Sequence, residues 1–348
     1  MSGEHCKMAK TAKHTFNTQE DSAFFREKSD MALAGGDCET ALFYAQKALF
    51  YDLGQSEQPQ ADTALDYMIF AQIFRHRGNT SKVISAYKKA YSIRKKLLGK
   101  DNPETAEILD KLAEFCRETA QYEKALQYGQ DALGVYKKQF GQIHPSVAAA
   151  TNNLALTYSA MGDDERALYA LYPVYSLMRK LYGKQNEKTA DIANNIGAVL
   201  NAMQMYKKAL VWHNRALKTR AEIFGEYTPC VAQSYNNIAV VYYNLKNLDT
   251  AFEYYKKALD SILMVHAQGE RELPITENNM ALIHYNRGEE TAALELLSKS
   301  YRDMVAAVGV THPDAKRIKE HLRLAFRAGG KGESDFAAWS NALLNKPL

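Results

Sequence analysis

Residues 146–187 read SVAAATNNLALTYSAMGDDERALYALYPVYSLMRKLYGKQNE, and this stretch decides the fold. Val147, Leu154, Tyr158 and Met161 recur in steps of seven, four and three residues, which places them on one face of an α-helix. Gly162 stops that helix, as a residue free to take positive φ does. Ala167, Leu171, Val174 and Met178 make a second apolar stripe, and Gly183 ends the second helix. The unit is a helix–turn–helix hairpin whose small residues let the two helices approach closely. Pro173 lies inside the second helix, where a local bend is expected.

The same pattern returns with a period of 42 residues along almost the whole chain. Gly36, Gly78, Gly162, Gly288 and Gly330 share one lattice position. Ala41, Val83, Ala125, Ala167, Ala209, Ala251 and Ala293 share a second, and Ala48, Ala90, Ala132, Val174, Ala216, Ala258 and Ser300 a third. Gly99, Gly141, Gly183, Gly225 and Gly309 mark the end of second helices. Pro103, Pro145, Pro229 and Pro313 follow four residues later and start the next first helix, where the missing N–H costs nothing. One hairpin cannot bury both of its faces, whereas stacked neighbours can. The expected fold is all-α: a right-handed superhelical solenoid of about seven helix–turn–helix repeats over 20–313. These fall at about 20–61, 62–103, 104–145, 146–187, 188–229, 230–274 and 275–313. Residues 314–348 read as a degenerate eighth, capping unit, and the polar, unpatterned residues 1–19 as a mobile N-terminal segment.

Composition narrows the function classes. Among 348 residues, 44 Lys+Arg face 40 Asp+Glu, a formal charge of +4, too weak for a general nucleic-acid or acidic-membrane binder. Cys6, Cys38, Cys116 and Cys230 lie far apart and form no disulfide framework, so a reducing compartment is expected. No apolar run is long enough to span a bilayer and the termini carry no targeting or lipidation signal, which points to the cytoplasm. The nine histidines are scattered without metal-ligand spacing, and no nucleophile elbow, P-loop or dinucleotide-binding glycine motif occurs. No enzyme, metal or cofactor is therefore expected. Cys116 and His284 fall in one core column and read as a core thiol and a buried, satisfied imidazole. Lys95–Lys96, Lys137–Lys138 and Arg179–Lys180 sit in the last turns of second helices, where cations meet the helix dipole favourably.

The spacing of small and large apolar positions resembles the tetratricopeptide repeat. The 42-residue form is similar to the kinesin light chain subfamily, on TNNLALTYSAMGD, ANNIGAVLNAMQM, YNNIAVVYYNLKN and ENNMALIHYNRGE, with FGQIHP and VGVTHP in linkers. The resemblance covers roughly residues 20–330. Kinesin light chains carry a long heptad segment ahead of their repeats, and residues 1–19 are too short to hold one.

The resemblance implies that first helices line a concave groove. Asn152–Asn153, Asn194–Asn195, Asn236–Asn237 and Asn278–Asn279 then project toward it from one lattice position, although Asn is a poor helix-interior residue. An amide offers both donor and acceptor, so a column of them can hold the main chain of an extended peptide. Bonding between neighbouring repeats explains the pairs equally well. By family position the second column, Asn153, Asn195, Asn237 and Asn279, is the peptide-facing one. Asn201, Tyr243 and Asn244 extend the polar lining, and Arg75 and Arg117, 42 residues apart, suit an acidic side chain or a chain terminus, or are neutralised by Glu107, Asp110 and Glu114 on nearby turns. In the last unit Lys316, Arg317, Lys319, Arg323, Arg327 and Lys331 outnumber Asp314 and Glu320, which suits a solvated cap or an acidic partner. The expected function is a non-catalytic adaptor or scaffold that binds an extended peptide or disordered partner segment. A ligand-gated regulator and a structural subunit assembling through its convex face or stack ends are the alternatives.

Overall fold

In the computed structural model of the protein, the described residues are 21–55, 60–264, 272–310, 312–330 and 332–344. The segment 1–19 expected to be mobile lies outside them. Sixteen helices run through the described residues in hairpin pairs. The first three pairs are α1 (Ser22–Ala34) with α2 (Cys38–Gln55), α3 (Ala61–His76) with α4 (Thr80–Leu98), and α5 (Pro103–Glu118) with α6 (Tyr122–Phe140). The middle pairs are α7 (Pro145–Ala160) with α8 (Asp164–Tyr182), α9 (Glu187–Ala202) with α10 (Tyr206–Phe224), and α11 (Pro229–Asn244) with α12 (Leu248–Met264). Then come α13 (Glu272–Asn286) with α14 (Glu290–Val308) and α15 (Pro313–Ala328) with the shorter α16 (Glu333–Leu344). No described helix is long and apolar enough to cross a membrane.

Each helix packs on its hairpin partner and on the next hairpin. The small-residue columns sit in these contacts: Ala41, Val83, Ala125, Ala167, Ala209, Ala251 and Ala293 are all fully buried. Odd-numbered helices also touch the next odd-numbered helix at α1–α3 and at every step from α5 to α15. Even-numbered helices do so only at α14–α16. The odd-numbered helices are therefore the tighter, inner layer of a curved solenoid, and their exposed residues line its concave face. Pro173 lies within α8, which continues through it to Tyr182.

The turns inside the hairpins are set by the lattice more than by the residue. Gly36, Gly78, Gly162, Gly288 and Gly330 take φ between 67° and 82°. Ala120, Gln204 and Lys246 occupy the same lattice position and take the same left-handed conformation, with φ of 57°, 60° and 62°. A Cβ there costs about 1–2 kcal/mol, of which the greater chain entropy of Gly returns part. Ala120→Gly and Gln204→Gly, both at exposed sites, are each expected to raise stability by about 0.5–1 kcal/mol. Urea unfolding of the two variants checks this, and a loss of stability in both would refute it.

The HP linkers have a role beyond the proline. His144 Nδ1 accepts from Ser146 N–H at 3.2 Å and His312 Nδ1 from Asp314 N–H at 3.1 Å, so each imidazole caps the helix that the proline begins. Asn102 and Asn186 cap α5 and α9 at the same lattice position. At the N-terminal end, Arg26 of α1 bonds Asp66 of α3 at 2.8 Å and Asp52 of α2, tying three helices together. Burial pushes the Asp66 carboxyl up to about 7 in spite of that guanidinium.

Candidate functional site: the asparagine ladder

The Asn pairs lie in the middle of α7, α9, α11 and α13, on the inner layer. Their two columns differ. Asn194, Asn236 and Asn278 of the first column are buried and Asn152 is half-buried, whereas all four residues of the second column are half-buried. The columns bond to each other across repeats. Asn195 Nδ2 donates to Asn152 Oδ1 at 2.9 Å, and Asn237 Nδ2 to Asn194 Oδ1 at 2.8 Å. Each second-column amide thus reaches back 43 residues to the first column of the preceding repeat.

Two members of this ladder are not asparagines. Asp110 of α5 stands at the first-column position and accepts from Asn153 Nδ2 at 3.2 Å. Burial raises its carboxyl above the usual range. His321 of α15 stands at the second-column position, and its Nδ1 lies 2.8 Å from Asn278 Oδ1. Burial lowers the pKa of this imidazole, and the Nδ1–H tautomer completes the rung. The Asn pattern alone discloses neither, and Asp110 reads from sequence as a neutraliser of the arginines, although positions 110 and 321 lie on the same lattice.

One rung is missing. No bond joins Asn279 to Asn236. Asn236 Nδ2 instead donates to Thr276 Oγ1 at 2.7 Å, and Asn278 Nδ2 donates to Asn279 Oδ1 at 3.2 Å. A cavity of about 450 Å³ opens at this point, lined by Asn236, Asn237, Asn279, Val240, Ile275 and Leu282 among others.

Farther along the same helices the ladder has a second line. Asn244 donates to Asn201 at 3.1 Å and Asn286 to the Tyr243 hydroxyl at 2.7 Å, again 43 residues apart. Asn286 was not among the sequence candidates. Arg75 is neutralised by Glu114 at 3.4 Å and by Glu118. Arg117 makes no ion pair among the described residues, and its buried Nε has no hydrogen-bond partner. The two arginines line a cavity of about 680 Å³ together with His312, Pro313 and Lys316, so the last hairpin approaches the second and third.

The core histidine reading needs refinement. Cys116 is buried as expected, but the His284 side chain keeps 21% exposure and is satisfied by Glu289. The buried imidazole is His213 of α10, 1% exposed. Its Nδ1 lies 3.0 Å from Asn194 Oδ1, so it joins the ladder from behind. No cluster of potential metal ligands occurs among the described residues.

The tetratricopeptide repeat family profile matches residues 63–138, 146–220, 188–262 and 278–314. The chain is a tetratricopeptide repeat protein. No curated protein sequence matches it. Solved structures are similar in fold at low identity. Aspartyl phosphate phosphatase F from Bacillus subtilis superposes with a TM-score of 0.59 at 17% identity, over 94% of this chain and 95% of that one. NprR, solved with its cognate peptide NprX, gives 0.57 at 16% identity over 94% and 90%. A putative kinesin light chain from Podosopora anserina with nearly identical repeats gives 0.47 at 17% identity, over 59% of this repeat protein and 97% of that one.

Proposed function

We propose that this tetratricopeptide repeat protein is a non-catalytic protein–protein interaction module, an adaptor or scaffold. It holds an extended peptide, or a disordered segment of a partner, along the concave face. The observation that carries the reading is the half-buried second Asn column. Each of Asn153, Asn195 and Asn237 spends one amide N–H on its rung. Each keeps a second N–H and the Oδ1 without a partner among the described residues. These are the donor and acceptor that a peptide main chain requires, repeated along one face. Bound segments replace water at these groups, so affinity per contact is modest and sequence preference comes from pockets beside the column. The first column is committed to the stack and contributes indirectly, by orienting the second. Arg117, without a carboxylate of its own, is the position for an acidic side chain or chain terminus. NprR, which shares the fold, is solved in complex with its cognate peptide NprX.

The test is an affinity capture from the source cell with three baits: the wild type, a quadruple Asn153, Asn195, Asn237, Asn279→Ala variant, and Arg117→Gln. Ala is the better helix former, so the quadruple variant retains its helices, which circular dichroism verifies. Partners captured by the wild type should be lost from the quadruple variant. Arg117→Gln should lose a subset with acidic segments. Retention of every partner by both variants would reject the groove and direct attention to the convex face.

A further inference from the structure

The missing rung has a specific cause and leaves a specific vacancy. Thr276 Oγ1 donates its single proton to Glu272 C=O at 2.8 Å. The Asn236 atom facing it at 2.7 Å must therefore be the donor Nδ2, which fixes the orientation of that amide. The preceding first-column residues meet no such hydroxyl. The position equivalent to Thr276 is Ile192 behind Asn152, and Ser234 behind Asn194, whose Oγ is taken by Arg220 at 2.8 Å. Thr276 thus turns Asn236 out of the ladder. Asn236 is 7% exposed, and its Oδ1 is left buried with no hydrogen-bond partner. A buried acceptor in this state requires an explanation, because nearly all such atoms in folded proteins are satisfied. Across the gap, Asn279 uses its Oδ1 to accept from Asn278, and its Nδ2 donates to nothing among the described residues. Asn236, with one unfilled buried acceptor, and Asn279, with one unfilled donor, both line a cavity of about 450 Å³. Val240, Ile275 and Leu282 supply apolar wall, and Arg317 also lines the cavity.

We infer that the cavity between α11 and α13 is the specificity subsite for a bound peptide. One main-chain peptide group of the ligand replaces the missing rung, its C=O accepting from Asn279 Nδ2 and its N–H donating to Asn236 Oδ1 as that amide turns toward the cavity. The adjacent ligand side chain is apolar and rests against Val240, Ile275 and Leu282. Elsewhere along the ladder the rungs are closed and a peptide meets only the outward valences of the second column. Here alone among the described rungs it enters the ladder itself. This inference rests on the groove reading above, and the experiment separates the two.

The probe is a display library of random twelve-residue peptides, selected on the wild-type protein, with enriched peptides synthesised for titration. Three variants follow. Thr276→Val removes the hydroxyl, lets Asn236 and Asn279 close their rung, and is expected to weaken the enriched peptides at least tenfold while circular dichroism shows the helices retained. Val240→Trp fills the cavity from a half-buried position and is expected to do the same. Asn153→Ala/Asn195→Ala lies away from the cavity and tests the groove alone; a few-fold weakening is expected. N-methylation along the peptide should find one amide whose methylation abolishes binding to the wild type and has little further effect in Asn236→Ala. Peptides that lose affinity for Asn153→Ala/Asn195→Ala but bind Thr276→Val and Val240→Trp as tightly as the wild type would overturn the subsite and leave the groove standing. Failure of the wild type to enrich any peptide would overturn both.

Discussion

Gly197→Ala is expected to destabilise the protein by about 1–3 kcal/mol, against the ordinary rule that Ala strengthens a helix interior by ~1 kcal/mol over Gly. Gly197 lies in α9 facing His213 of α10, and a Cβ at position 197 would sit 2.8 Å from the imidazole. The ring is 1% exposed and bonded to Asn194, so it has nowhere to turn. Five other repeats carry Ala at this lattice position, and in two of them Ala155 and Ala281 pair by lattice with Leu171 and Leu297. Gly197 and His213 are a matched pair, the large ring occupying the space that the missing methyl vacates. The double variant Gly197→Ala/His213→Leu recreates the pairing found in those repeats and should recover to within about 1 kcal/mol of the wild type. Because a repeat array is stabilised by nearest-neighbour terms, hydrogen exchange in α9 and α10 should accompany the urea midpoint. Additive losses in the double variant would refute the pairing.

The same pair predicts a pH dependence. Burial, reinforced by Arg220, lowers the His213 pKa from 6.5 to about 4. A depressed histidine pKa means that the unfolded chain takes up the proton first. The stabilisation is complete above pH 6.5 and is lost as pH falls from there toward 4. The total loss is about 3 kcal/mol. Asp66, whose carboxyl is raised to about 7, works in the opposite sense over the same range. The informative quantity is therefore the difference between the wild type and Gly197→Ala/His213→Leu, in which Asp66 cancels. Between pH 7 and 4 the wild type should lose about 3 kcal/mol more than the double variant.

What the sequence disclosed follows from what a 42-residue period encodes. Helix faces, turn glycines and helix-starting prolines depend on neighbours within one hairpin, so they stand out as columns. Ala120, Gln204 and Lys246 adopt the glycine conformation without the glycine, because the hairpin geometry dictates φ there. The ladder was legible only in half. Its Asn columns are visible, but its bonds run between non-equivalent positions 43 residues apart, a spacing that no column displays. Asp110 and His321 take part with different chemistry, and the break at Asn236 depends on a hydroxyl forty residues away. Such features belong to the orientation of single amides. They require knowing where each remaining valence goes, which composition and periodicity do not record.

Asn194→Ala and Asn195→Ala are neighbours in sequence and should behave oppositely. Asn194 is 8% exposed, and its Oδ1 serves both His213 and Asn237. Truncation leaves the buried His213 N–H without an acceptor and releases the second-column amide of the next repeat. The cost of an unsatisfied buried donor outweighs the few tenths of a kcal/mol gained from Ala in the helix, so a net loss of about 2–3 kcal/mol is expected. Asn195 is half-buried and gives one N–H to Asn152, itself half-buried. Water replaces that rung, and the better helix propensity of Ala offsets the rest, leaving stability within about 0.5 kcal/mol. Thermal and urea unfolding of the two variants read the contrast directly. Equal losses would mean that the rungs, rather than the buried hub at Asn194, carry the ladder's stabilising role. A near-neutral Asn195→Ala has a further consequence for function. The second column then contributes little to the stack, and any partner that this variant fails to capture is lost through the groove and not through unfolding.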